Sequence, residues 1–309
     1  MKNNTNSLHD IFNNHQGYVV DKWSNYLDIY HEIFENIRQN PITILEFGVQ
    51  NGGSLEIWSR FFNNFKYVIG VDVDSSIALL NFNNENIITI VGDATSVETA
   101  ELISSRFGSI DVVVDDGSHI NTDVIKTFLL NWNVVSEGGF YAIEDTHSSY
   151  QQSYGGGFQS KNSIINFFKI LVELTHFEFW GLNISILDLF EESEFSYLLS
   201  EARVDLTNIE SIHFFQSMIV LKKKKLDNKM IRVVKGKTAK INSQVLNYNS
   251  QEFEVESQDL NQFSRLYNPY NALEETELTL SRILSSKSWK FTRHFRLIRK
   301  LIADIRKKV

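Results

Sequence analysis

The chain has 309 residues, of which 42% are hydrophobic, and it carries a net charge of −8 at neutral pH. This length suits one large domain or a domain with an extension, and the hydrophobic fraction is sufficient for an ordinary core. The absence of cysteine excludes disulfides, thiolate catalysis and cysteine-ligated metal centres. The acidic balance argues against a nucleic-acid partner, and the polar N-terminus with no long apolar window predicts a cytoplasmic protein.

A glycine-rich turn follows the first predicted strand. Helical periodicity over residues 18–37 precedes that strand, which is predicted at 42–47. Glycines in such a turn let the backbone approach a ligand, and the free N–H groups of the following helix attract anionic groups. The spacing is not G-x-G-x-x-G, so the dinucleotide fingerprint is missing. The candidate ligand-binding residues of this turn are Glu46, Gly48, Gly52, Gly53 and Ser54.

The next two predicted strands also end in acidic residues. Residues 67–72 end at Asp72, about twenty residues after the glycine turn, and 87–91 lead into Gly92-Asp93-Ala94. A carboxylate at the position of Asp72 can accept hydrogen bonds from a ribose diol. A helix cap or a turn explains Asp72 equally well when it is taken alone.

Two later strands end in clusters of carboxylates and histidine. The strand 111–115 runs into Asp115-Asp116-Gly-Ser-His119, and 140–143 runs into Glu144-Asp145. Open α/β sheets bind ligands at the carboxyl ends of their strands, so these clusters lie where chemistry is expected. A structural role, as caps or as a hydrogen-bonded histidine, is the alternative for each residue.

The alternation of strands and helices predicts the fold class. We expect a doubly wound, mostly parallel, seven-stranded Rossmann-like α/β sheet that closes with an antiparallel hairpin over 209–222. Lysines 222–225 then form a solvated strand end. The predicted segments are an N-terminal helical segment (1–40), the α/β domain (41–225), a polar linker (226–270) and a helical tail (271–309).

The predicted tail is basic and amphipathic. Residues 281–309 contain ten Lys or Arg against one Asp, with an apolar stripe at helical spacing. This pattern is typical of a helix on the inner face of a membrane. It is equally typical of a helix that packs on its own domain or on a second copy in a homo-oligomer.

The motifs together resemble a class I S-adenosylmethionine-dependent methyltransferase, and more narrowly the metal-dependent sugar O-methyltransferases of macrolide and glycan pathways. The resemblance covers roughly residues 15–222. The motifs that carry it are Lys22-Trp23-x-x-Tyr26, Leu45-Glu46-Phe47-Gly48-Val49 with Gly52-Gly53-Ser54, Gly70-Val71-Asp72, Gly92-Asp93, Asp115-Asp116-Gly117-Ser118-His119 and Ile143-Glu144-Asp145. A second segment, 286–296, is similar to S-x-S-W-R-x-T-x-P-L-R segments of bacterial surface-polysaccharide enzymes, although His294 stands where those have proline.

The resemblance implies a role for each candidate residue. Asp116, Glu144 and Asp145 would hold Mg²⁺, and His119 would act as the general base. S-adenosylmethionine would bind along the glycine turn, with Asp72 at its ribose. The remaining cofactor residues implied are Glu46, Gly48, Gly52, Gly53, Ser54, Asp93, Ala94 and Asp115.

The expected function is methylation of a sugar hydroxyl, with a sugar or glycan as the partner. Other vicinal diols would satisfy the same metal chemistry, so the sugar rests on the resemblance. A non-catalytic scaffold in membrane-proximal glycan assembly is another alternative. A nucleotide-dependent oxidoreductase is disfavoured, because clustered acids would repel a cofactor pyrophosphate.

Overall fold

The computed structural model describes residues 6–182, 185–190, 195–226, 230–247, 255, 257 and 281–282. The described residues outside 180–182 and 255–282 belong to one compact unit. Most of the predicted tail and the 286–296 motif lie outside the described residues. The linker and tail assignments therefore stay predictions. Within the described part of the chain, no helix is long and apolar enough to cross a bilayer.

In the described residues, seven strands form one sheet in the order β3-β2-β1-β4-β5-β7-β6. The strands β1 to β5 pair in parallel, whereas β7 is antiparallel to both β5 and β6. This arrangement confirms the predicted fold class. The strands are β1 (Thr43–Phe47), β2 (Tyr67–Asp72), β3 (Ile87–Val91), β4 (Ile110–Asp115), β5 (Val135–Ile143), β6 (Ile209–Phe215) and β7 (Met218–Lys223).

Helices cover the sheet and supply its connections. All residues of β1 are buried, as expected for a central strand with helices on both faces. The helices are α1 (Leu8–Asn13), α2 (Ser24–Phe34), α3 (Gly53–Phe61), α4 (Val97–Phe107), α5 (Asn121–Asn131), α6 (Ile164–Leu171) and α7 (Phe195–Ala202).

The N-terminal segment differs from the predicted helix over 18–37. Regular α-helix begins only at Ser24 and ends at Phe34, followed by one 3-10 turn over Glu35–Ile37. Residues 18–23, which we call the strap, form neither helix nor strand. A separate helix, α1, begins at Leu8 within the predicted helical segment (1–40), and the hydroxyl of its N-cap Ser7 accepts from the Asp10 N–H in a capping box.

Two further predictions near β5 and β7 were wrong in detail. The strand predicted at 140–143 is longer at its start, because β5 begins at Val135 and runs to Ile143. The predicted solvated lysine run includes a buried member: Lys223 Nζ donates to the carbonyls of Trp132, Asn133 and Val135. Lys223 is buried because these carbonyls, at the end of the α5 segment, need a donor.

The register of the sheet brings the predicted strand tips together. Phe47 pairs with Asp115, and Asp115 pairs with Ile143. The residues that follow each strand therefore emerge side by side. Gly48, Asp116 and Glu144 occupy these neighbouring positions.

Candidate active site

A cavity of about 740 Å³ lies along the carboxyl ends of the parallel strands. Its position agrees with the rule that open α/β sheets bind ligands there. The candidate residues that line it are Gly48, Ser54, Asp72, Asp93, Ala94, Asp115, Asp116, His119 and Asp145. Four other candidates, Glu46, Gly52, Gly53 and Glu144, are not among its lining residues.

The glycines of the turn permit close backbone packing. Gly48 has φ +89°, and a Cβ there would collide with the carbonyl of Asp116. Gly52, with φ +84°, is the N-cap of α3. A Cβ at Gly53 would collide with the carbonyls of Tyr18 and Val19. The strap 18–23 thus passes directly against the start of α3, and only glycine fits there.

Two of the predicted cofactor residues, Asp72 and Asp93, accept hydrogen bonds from backbone N–H groups, and we call the part of the cavity that they line the cofactor side. Asp72 Oδ2 accepts hydrogen bonds from the N–H groups of Val49 (2.8 Å) and Gln50 (3.1 Å). Asp93 Oδ1 accepts from the N–H and the hydroxyl of Thr95. Asp72 therefore shapes the glycine turn, and both side chains still line the cavity.

We call the cluster of Glu46, Asp116, His119, Glu144 and Asp145 the acidic side. Its side chains form two groups, and within each group the possible metal-ligand atoms lie within 4.8 Å of one another. One comprises Asp116, His119 and Asp145, and the other comprises Glu46, Asp116 and Glu144. Asp116 belongs to both. The three predicted metal ligands are thus divided between two adjoining groups, and Glu46, assigned to the cofactor, joins one of them.

Backbone conformation directs His119 and Asp145 towards each other. Both have positive φ, +57° and +53°, which is uncommon for residues with a Cβ and concentrates at functional sites. His119 Nε2 lies 3.5 Å from Asp145 Oδ2 and 3.9 Å from Asp116 Oδ1. The imidazole therefore faces the two carboxylates.

The ammonium of Lys22 lies within the second acidic group. Its Nζ is 2.6 Å from Asp116 Oδ2, 2.8 Å from Glu144 Oε1 and 3.2 Å from Glu46 Oε1. The side chain of Lys22 is only 6% exposed. Sequence reasoning noted Lys22 only as part of a motif, and missed this contact.

Three more donors reach the acids from the same N-terminal segment. Trp23 Nε1–H donates to Asp145 Oδ1 at 2.9 Å, and the hydroxyl of Tyr26 lies 2.8 Å from the same oxygen. The hydroxyl of Tyr30 donates to Glu144 Oε1 at 2.7 Å. The beginning of α2 is thus bound to the acidic side by hydrogen bonds.

Burial changes the protonation behaviour of this region. It raises the pKa of Asp115 to about 7. It also raises the pKa of Glu144, although Lys22 acts in the opposite direction. Burial tends to lower the pKa of Lys22, but the carboxylates of Glu144, Asp116 and Glu46 outweigh it and hold that pKa well above its usual value. Lys22 therefore stays protonated.

The donor set fits a hard divalent cation. Carboxylate oxygens are the protein ligands that Mg²⁺ prefers, and the imidazole of His119 lies beside them. The close approach of the Lys22 ammonium to three carboxylates is independent evidence that this region stabilises positive charge. His147 is a less direct neighbour, because its Nδ1 is hydrogen-bonded to Ser217 Oγ at 2.6 Å and lies 3.8 Å from Asp145 Oδ1.

The chain is similar in sequence to known O-methyltransferases. No protein-family model matches the chain. It is 32% identical over 167 residues to 8-demethyl-8-alpha-L-rhamnosyl tetracenomycin-C 2'-O-methyltransferase of Streptomyces olivaceus, covering 50% of this chain and 43% of that protein. It is 36% identical over 135 residues to mycinamicin VI 2''-O-methyltransferase of Micromonospora griseorubida, covering 41% and 33%. The chain spans less than half the length of these relatives.

Solved structures give the same result for the fold. MycE methyltransferase from the mycinamycin pathway, in complex with Mg and SAH, has a TM-score of 0.52 and 26% identity, covering 68% of this chain and 52% of its own. Its complex with Mg, SAH and mycinamycin VI has a TM-score of 0.59 and 24% identity, covering 72% and 55%. The resemblance that the motifs indicated is confirmed: this chain is similar to the sugar O-methyltransferases of macrolide and tetracenomycin pathways, and it has their Rossmann-like methyltransferase fold.

Proposed function

We propose that this chain is an S-adenosylmethionine-dependent and Mg²⁺-dependent O-methyltransferase that methylates a hydroxyl group of a sugar. The sugar would belong to a glycan, a surface polysaccharide or a glycosylated natural product. The observation that carries the proposal is the meeting of His119, Asp116 and Asp145 at the edge of the 740 Å³ cavity. The names of the relatives, which act on sugar-bearing molecules, support the acceptor class.

The cofactor side would hold the methyl donor. S-adenosylmethionine supplies a methyl group that is already activated on its sulfonium, so the chain has to bind and align it. The turn at Gly48 allows close approach, and Asp72, which orders that turn through two backbone N–H groups and lines the cavity, would contact the ribose. Asp93 and Ala94 line the same cavity further along.

The acidic side would prepare the acceptor. Asp116, Glu144 and Asp145 would hold Mg²⁺, which when bound orients the acceptor hydroxyl and lowers the free-energy cost of removing its proton. His119 Nε2 would take that proton, since neutral imidazole near pH 7 is a suitable base. The positive φ of His119 directs the ring at this position.

Methyl transfer can be tested directly. The full chain would be incubated with isotopically labelled S-adenosylmethionine, Mg²⁺ and a panel of sugars and nucleotide sugars, and products would be detected by mass spectrometry. The proposal predicts label on a sugar hydroxyl that is lost with EDTA and restored by Mg²⁺. Calorimetric titration with S-adenosylmethionine is the first control. A folded chain that does not bind this cofactor would refute the proposal.

A further inference from the structure

We infer that Lys22 is a positioning residue for the metal site: its ammonium, bound between Asp116, Glu144 and Glu46, sets the orientation in which the carboxylates receive the divalent cation. This inference rests on the proposed function, because it assumes that the acidic side holds a metal.

Lys22 offsets the charge of a crowded group of carboxylates. Glu46 is fully buried, Glu144 is 2% exposed, and both share a group with Asp116 in which ligand atoms lie within 4.8 Å of one another. Three carboxylates so close together in a region of low dielectric repel one another strongly. The Lys22 ammonium, at 2.6–3.2 Å from all three, is the buried cation that offsets this repulsion.

The contacts of Lys22 involve one oxygen of Asp116 and one of Glu144. Lys22 binds Oδ2 of Asp116, while Oδ1 of the same carboxylate faces His119. Similarly, Oε1 of Glu144 receives both Lys22 and the Tyr30 hydroxyl. One oxygen of each side chain is thus bound by the N-terminal segment. The other oxygen of each carboxylate takes no part in these bonds.

The hydrogen-bond donors of the predicted metal ligands come from one N-terminal segment. Asp145 is held in the same way, through Oδ1, by Trp23 and Tyr26, while its Oδ2 faces His119. Every predicted metal ligand therefore has a donor from residues 22–30. Lys22 differs from the others because it is charged and because it joins two of the ligands. Groups that orient metal ligands typically contribute about ten- to one-hundred-fold to metal affinity.

The test compares Mg²⁺ affinity in the full chain saturated with S-adenosylhomocysteine. Lys22→Met removes the charge and the donors but keeps the length of the side chain. We expect its Mg²⁺ dissociation constant to rise about ten- to one-hundred-fold, as measured by calorimetry and, with Mn²⁺ as the probe, by electron paramagnetic resonance. Lys222→Met is the matched control, because Lys222 pairs with Glu210 outside the acidic groups. It should leave Mg²⁺ affinity unchanged.

A second variant covers the outcome in which Lys22→Met does not fold. Lys22→Arg keeps the positive charge but places the N–H donors at different positions relative to the carboxylates. We therefore expect a loss of Mg²⁺ affinity smaller than that of Lys22→Met. In turnover assays, either variant should raise the Mg²⁺ concentration needed for half-maximal rate more than it lowers the rate at saturating Mg²⁺. A purely structural role of Lys22, independent of the metal, would not raise the Mg²⁺ concentration needed for half-maximal rate in this way.

Two results would overturn the inference. One is a folded Lys22→Met variant that binds Mg²⁺ as tightly as, or more tightly than, the wild type, since Lys22 would then only compete with the metal. The other, should Lys22→Met fail to fold, is Mg²⁺ affinity in Lys22→Arg equal to that of the wild type. Failure of the proposed function is distinguishable, because the wild-type chain itself would then bind no Mg²⁺ at this site.

Discussion

The two sides of the cavity are stabilised in different ways. On the cofactor side, Asp72 and Asp93 are bound by backbone N–H groups: Asp93 by a residue two positions away, and Asp72 by the turn that precedes its strand. On the acidic side, Asp116, Glu144 and Asp145 are bound by side chains of residues 22–30, more than ninety positions earlier in the chain. The carboxylates of the cofactor side are therefore oriented by the sheet and its turns, whereas those of the acidic side are oriented by the N-terminal segment.

The largest expected effect is on the acidic side. Asp116→Asn removes a carboxylate shared by both acidic groups. We expect kcat/KM for methyl transfer to fall by about 10³-fold or more, because metal polarisation contributes several kcal/mol. Affinity for S-adenosylhomocysteine, measured by calorimetry, should change little. A parallel loss of cofactor affinity would contradict the separation of the two sides.

The next effect concerns the proposed base. His119→Ala should lower kcat by about 10²- to 10⁴-fold, the usual range for general-base catalysis. Mg²⁺ and S-adenosylhomocysteine should still bind, as two separate titrations would reveal. His213→Ala, on the exposed edge strand β6, is the matched control. Retention of full activity in His119→Ala would remove the histidine from the mechanism.

A pH-dependent effect on stability follows from Asp115. Its pKa is about 7 in the folded chain against 3.8 for an unperturbed aspartate, because the side chain is buried. Between these values the folded chain keeps a proton that the unfolded chain has released, so the contribution of Asp115 to stability is lost as pH rises towards 7 and above.

Asp115→Asn should remove this contribution. We expect the free energy of unfolding of the variant, measured by urea denaturation with EDTA and without cofactor, to fall less between pH 4 and pH 8 than that of the wild type. The expected difference is a few kcal/mol, from the size of the pKa shift. Parallel pH profiles of wild type and variant would show that Asp115 is not protonated in the folded chain.

The smallest expected effect is on the cofactor side. Asp72→Asn keeps the size of the side chain but replaces a charged acceptor of two backbone N–H groups. The affinity for S-adenosylmethionine should fall about ten-fold, since a hydrogen bond to a charged group contributes about 1.5–3 kcal/mol. Mg²⁺ affinity should not change. A larger effect on Mg²⁺ than on the cofactor would show that the two sides are coupled.

The same contrast explains what could be predicted from sequence. Strand tips such as Asp72, Asp116 and Glu144 were predictable, because the apolar runs define the strands and the sheet aligns their ends. The donors Lys22 and Tyr30 were not, since no local pattern links them to acids about one hundred residues later. A pairing of this kind depends on tertiary packing.

Two errors have other physical causes. The bounds of α1 within the predicted N-terminal helical segment (1–40) were not predicted, although Ser7 and Asp10 form a capping box that is visible in the sequence. Lys223 was predicted as solvated because it lies in a lysine run, but three carbonyls that need a donor draw its ammonium inward. The carbonyl partners of Lys223 lie far from it along the chain, so they become visible only in the folded structure.

The most direct test of the central claim is a Mg²⁺ titration of the cofactor-saturated chain, carried out in parallel on the wild type and on Asp116→Asn. We predict that the wild type binds one divalent ion and that the variant loses this binding while it still binds S-adenosylhomocysteine. A wild-type chain that binds no Mg²⁺, or a variant that binds it with unchanged affinity, would contradict the assignment of the acidic side as a metal site.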